Sequence, residues 1–156
     1  MLHRCYSFKY TSLHPSYLGC SVSEEWHSFM KFKSWMENQD WRGKNLDKDL
    51  LHEGNKIYSP DKCLFLSGQV NRFILENPSF RGLLPIGVSF HHDNIRYRAS
   101  VKNLGKGSKH LGVFTDSKSA HIAYLKAKSE LAVELASMQS DHRVSNAILN
   151  RYKTNK

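Results

Sequence analysis

Residues 96–102, RYRASVK, alternate a cationic or hydroxyl side chain with an apolar one or an alanine. Successive side chains of a strand point to opposite faces. Tyr97, Ala99 and Val101 therefore share one face, and Arg96, Arg98, Ser100 and Lys102 share the other. Such a strand needs an apolar cover on one side and water, or a polar ligand, on the other. The cover follows in the chain. Over residues 116–138, Ala120, Ala123, Tyr124, Ala127, Leu131, Leu135 and Met138 recur at helical spacing. Asp116 is placed to cap the start of that helix. IGVSF (86–90) and KHLGVF (109–114) read as two flanking strands, with turns at 91–94 and 103–107. Tyr97, Ala99, Val101, Leu111, Phe114, Ala123, Tyr124, Ala127 and Leu131 are expected in one core.

The charge distribution agrees with a ligand on the cationic face. The chain has 156 residues with 23 Lys and Arg against 14 Asp and Glu, a net +9 with His neutral. Residues 1–72 carry ten basic and eight acidic residues, net +2; residues 81–128 carry nine and two, net +7. Positive charge gathered in one segment is the footprint expected of a phosphate-facing surface. Hydrophobic residues make up 40% of the chain, as in folded soluble proteins. No run approaches the roughly 18 apolar residues of a membrane span. MLHRCYSFKY lacks the apolar stretch of a signal peptide. No membrane partner is expected, and a reducing compartment is.

The front half reads differently. Residues 24–39 predict one helix, with Trp26, Phe29, Met30, Lys33 and Met36 on a common face and Ser23 as N-cap. Turn signals at 42–43, 53–55 and 59–61 separate short strands at 46–51 and 56–58. LFLSGQVNRFI (64–74) reads as a strand end or a short helix, so the pieces would make a ββα unit. Two prolines and a glycine in 77–85 mark a linker, and Val144, Ile148 and Tyr152 mark a last helix over 141–152. The expected fold class is α+β: a ββα module with an N-terminal helix (1–76), a linker (77–85), a three-stranded antiparallel sheet packed on one long helix (86–138), and a C-terminal helix and tail (139–156).

The segment IGVSF…RYRASV…KHLGVFTDSKSAHIAYLKAK resembles the DNA-binding domain of plant ethylene-response factors. Gly87, Val88, Tyr97, Ala99, Val101, Leu111, Gly112, Phe114, Ala120, Ala123 and Tyr124 stand where that family's motif has them. The resemblance implies a sheet inserted into the major groove of double-stranded DNA. By position the contacts would come from Ser89, His91, Arg96, Arg98, Ser100, Lys102, Lys109 and His110. Several Arg and Trp positions of the plant domain are Ser or His here, so base specificity does not carry over.

The front half, through its LDKDLL, GNK, YSP, Cys63, Phe65 and Asn71 series, is similar to the front module of phage HNH-type, homing-like endonucleases. That resemblance implies a hydrolase cutting phosphodiester bonds with Mg²⁺ or Mn²⁺, acting on DNA in the cytoplasm of an infected bacterial host, at the nucleoid. Asp47, Asp49 and Asn71 would hold the metal, with Asn55 orienting. Hard cations take such oxygen donors. No His stands at 47–49, where the family's general base belongs; a lysine, with its model-peptide pKa of about 10.4, is a poor base, and His52 would serve if its loop folded back. Cys5, Cys20 and Cys63, with His3 as fourth ligand, would make a structural Zn²⁺ site; the other reading is three reduced, buried thiols. Besides the nuclease, a catalytically degenerate DNA-binding or regulatory protein and a basic protein binding an acidic host partner fit the sequence.

Overall fold

The computed structural model describes residues 1–75 and 83–153 of the chain. Most of the predicted linker, 77–82, and the last three residues of the tail lie outside the described residues. Helices and strands are mixed, as an α+β fold requires. The chain divides into two compact units, Met1–Asn71 and Arg72–Lys156.

The first unit opens with α1 (Leu2–Tyr6) and α2 (Phe8–Leu13), then a 3₁₀ turn at Pro15–Tyr17 and β1 (Ser21–Val22). A second 3₁₀ turn, Glu24–His27, leads into α3 (Phe29–Glu37). After it come β2 (Asn45–Asp47), β3 (Ile57–Tyr58), β4 (Leu64–Leu66) and α4 (Gly68–Ile74), and the boundary between the units falls within α4. β1 pairs with β3 in parallel, and β2 pairs with β4 antiparallel. A ββα order is therefore present, but its strands are β2 and β4. The predicted strand at 56–58 belongs to a different sheet, with Val22 opposite Tyr58. The predicted strand at 46–51 ends at Asp47, because the Asp47 carboxylate folds the chain into a turn.

The single helix predicted over 24–39 is broken. Ser28 is extended between the 3₁₀ turn and α3, and Ser23 makes no side-chain cap. The cause is geometric. At roughly 100° per residue, Trp26 and Trp35 would sit half a turn apart on one straight helix. The break puts both in one aromatic cluster: Trp26 lies 4.6 Å from Trp35 and 5.1 Å from Phe32. Phe29 and Met30, expected in the core, are exposed instead. The buried centre of the unit is Cys5, Cys20, Val22, Trp26, Tyr58 and Cys63.

The second unit holds β5 (Val88–Phe90), β6 (Tyr97–Lys102), β7 (Ser108–Phe114), α5 (Ser117–Ser137) and α6 (His142–Arg151). The sheet is antiparallel in the order β5-β6-β7. Ala99, Val101, Tyr124, Ala127, Leu131 and Leu135 are buried in this unit; Tyr97, Leu111, Phe114 and Ala123 are half-buried, and Met138 is exposed. Asp116 caps α5 by accepting from Ser119 N at 2.8 Å. Asp141 caps α6 in the same way through Arg143 N.

Two contacts hold the unit's elements in place. Gly87, at φ +79°, approaches the Tyr124 ring so closely that a Cβ there would lie 2.0 Å from Cδ2. Only glycine tolerates both the backbone angle and the distance. Lys128 is buried, and its Nζ donates to Phe73 O at 2.6 Å while lying 3.6 Å from the Phe73 ring centroid. Tyr152 Oη donates to the same carbonyl at 3.4 Å. The end of α4 is thereby tied to α5 and to the end of α6.

Candidate nucleic-acid interface

The outward face of the three-stranded sheet is set by register. Ser89 pairs with Arg98 and Arg98 with Val113; Ser100 pairs with His110, and Lys102 with Ser108. Paired residues of neighbouring strands project to the same side, so Ser89, Arg98, Val113, Ser100, His110, Lys102 and Ser108 share the side opposite the buried Ala99 and Val101. A bulge at Ala99/Ser100 skips Leu111 and shifts the register of β7. It gives Lys109, predicted beside His110, Val101 as its partner. Lys109 is therefore an exposed cation at the sheet's end on the helix side. Arg98, Lys102 and His110 are exposed, and Ser89 and Ser100 are half-buried among them. Between residues 86 and 115 the chain has five Lys and Arg and a single carboxylate, Asp93.

Asp93, which sequence reasoning missed, organises the β5–β6 turn. Its Oδ1 accepts from the backbone N–H of Ile95 and Arg96, both at 3.0 Å, and its Oδ2 accepts from Arg96 Nε at 2.7 Å. The Arg96 and Ile95 amides, then the guanidinium, hold the carboxyl far below the ordinary carboxylate range. His91 Nδ1 lies 3.2 Å from Oδ2, close enough to pair when the ring is protonated but outside good hydrogen-bond geometry. Arg96 is thus partly neutralised at the sheet's tip, while Arg98 and Lys102 carry the charge of the open face. The Asp-Asn pair at 93–94 was the available signal, because Asp in a turn readily binds its own backbone.

In the first unit the predicted catalytic residues are arranged around the chain itself. Asp47 Oδ1 accepts from Asp49 N at 3.0 Å and Leu50 N at 2.7 Å. Burial pushes the Asp47 carboxyl up, and these two amides offset part of that. Lys48 is buried, and its Nζ donates to Asp49 Oδ1 at 2.6 Å and Asn55 O at 2.7 Å. Asn55 Nδ2 donates to Lys48 O and Ile57 O, and its Oδ1 accepts from Ile57 N. His52 is exposed, on the loop that Asn55 closes. Asn71 stands half-buried on α4. Among the described residues, no three His, Cys, Asp or Glu side chains gather as a metal ion would require. Asp47 and Asn55 thus close the loop through one carboxylate oxygen and one amide group, and Asp49 pairs with Lys48 through its Oδ1.

Cys5, Cys20 and Cys63 do share one buried cluster. Burial pushes the Cys63 thiol up to about 12 and raises that of Cys5. His3, the predicted fourth ligand, is exposed and packs edge-on against Tyr10. The thiols are free and pack as small apolar groups. His3 stands outside the buried cluster that the three thiols share.

Comparison with known families, with curated proteins and with solved structures finds no match. No helix among the described residues is long and apolar enough to cross a membrane.

Proposed function

We propose that the protein binds double-stranded DNA through the outward face of β5–β6–β7. The observation that carries this is the split of β6: Ala99 and Val101 are buried against α5, while Arg98 and Lys102 stand exposed on the opposite side. Guanidinium and ammonium groups on a two- or three-stranded ribbon reach phosphates and the base edges of a major groove. The resemblance of residues 86–128 to the plant DNA-binding domain supports the same reading. Hydrolysis forms no part of the proposal: of the side chains expected to hold the metal, Asp47 accepts two backbone amides and Asp49 pairs with Lys48.

The test is a gel shift of the full chain on random duplex DNA across a salt series. Affinity should fall steeply as salt rises. Arg98→Ala with Lys102→Ala should weaken binding at least tenfold and flatten the salt slope by about one unit for each phosphate that is no longer neutralised. Unchanged binding in that double variant would sink the proposal. The same samples with Mg²⁺ or Mn²⁺ test the nuclease reading, and cleavage abolished by Asp49→Ala would restore it.

A further inference from the structure

Residues 1–23 contain no Asp or Glu, and they carry Arg4, Lys9, His3 and His14 among aromatic residues. In the folded first unit these groups meet. The Tyr10 ring lies 5.3 Å from His3, 4.3 Å from His14 and 5.5 Å from Tyr17. The Arg4 guanidinium sits 5.8 Å from the Tyr17 ring centroid and donates to Tyr17 Oη at 3.2 Å. Lys56 Nζ donates to Ser16 O at 2.9 Å, which brings a third cation to the same segment.

The outer side of this cluster is open. On α2, Phe8, Lys9, Ser12 and Leu13 fall within about 140° of the helix circumference, and all four are exposed. Phe8 is 87% exposed and Leu13 71%. A large aromatic side chain this bare, with Lys9 on the same stripe, Arg4 and Lys56 bonded to the neighbouring turn and no carboxylate within residues 1–23, suits a ligand that offers both a flat apolar face and negative charge. Unpaired nucleotides offer both. A duplex offers only the charge, since its base faces are stacked.

We propose that α1, α2 and the Pro15–Tyr17 turn form a second nucleic-acid surface, one for single-stranded DNA. An unpaired base stacks on Phe8, and Arg4, Lys9 and Lys56 take the neighbouring phosphates. Stacking on aromatic side chains tolerates any base, so the surface should show little sequence preference. The choice of DNA over RNA rests on the duplex reading above; the surface itself does not.

The experiment is fluorescence anisotropy of the full chain with a labelled oligothymidylate of about 16 nucleotides, a length that spans typical single-strand sites. Phe8→Ala should weaken binding roughly five- to hundredfold, the range expected for losing one stacked base. Phe8→Trp should retain or strengthen it, which a merely structural role would not predict. Arg98→Ala with Lys102→Ala should leave oligothymidylate affinity unchanged while lowering duplex affinity. Phe8 and Lys9 are exposed, so thermal melts of their variants should match the parent. Full affinity in Phe8→Ala would overturn the proposal. So would the absence of oligothymidylate binding at low salt, or its loss in the sheet variant. Tighter binding of oligouridylate would overturn the assignment to DNA. An unsubstituted chain that binds oligothymidylate but no duplex would count against the sheet alone.

Discussion

Two aspartates in this chain answer acid in opposite directions. Asp93 is held low by two amides and Arg96, so its contribution to stability is present above the ordinary carboxylate pKa and disappears as pH falls through the folded value. Asp47 is pushed up by burial, so the folded state holds its proton more tightly than the unfolded chain does. Its contribution is present at low pH and fades as pH rises through the folded value. Thermal melts between pH 3 and 7 separate the two. Asp93→Asn should lose stability at neutral pH, and its deficit should begin to narrow only below about pH 4. Asp47→Asn keeps an oxygen for the Asp49 and Leu50 amides and should gain relative to the parent as pH rises. Equal pH profiles in all three proteins would show that neither carboxyl is perturbed by folding. Sequence could not separate these roles, because a carboxylate aimed at backbone amides and one aimed at a metal are spelled alike. In the structure Asp47 and Asn55 bind the backbone of their own loop, and Asp49 pairs with Lys48.

At the scale of elements, what was legible is what two solvents had written. β6 separates a buried face from an exposed one, and α5 covers the buried side, so periods of 2 and 3.6 appear directly in the residues. Leu135 is fully buried on α5. Leu135→Ala should destabilise the second unit by about 2–5 kcal/mol, read from chemical denaturation. A loss below about 1 kcal/mol would mean that the C-terminal half of α5 is not packed into the core of this unit. The stretch 24–39 misled because helical periodicity presumes a straight helix, and the extended Ser28 cancels that presumption. The position of Gly87 makes a sharper test of sheet-on-helix packing. Gly87→Ala combines a positive φ with a methyl aimed at the Tyr124 ring, and a loss of roughly 1–3 kcal/mol is expected. Adding Tyr124→Ala should recover little, since it opens a cavity, but the two losses should fall short of additive because the sites touch. Additive losses would show that the glycine is needed for its backbone angle alone.

For the whole molecule, the surplus of positive charge in residues 81–128 was visible before any coordinates, and the sheet gives it a face. The aromatic surface of residues 1–18 was not visible as such, because its parts lie on separate short helices and a turn. Among the described residues each compact unit also buries one lysine, Lys48 at 7% exposure in the first and Lys128 at 9% in the second. Their amines can meet an acylating reagent only when the surrounding structure opens. In a mass-spectrometric time course they should label far more slowly than the exposed Lys126, and each rate should track the opening of its own unit. Mild denaturant that accelerates one and not the other would reveal two separately melting bodies, whereas labelling of both at the Lys126 rate would show that neither amine is protected. The chain thus carries a built-in chemical clock in each half, read without adding a single probe.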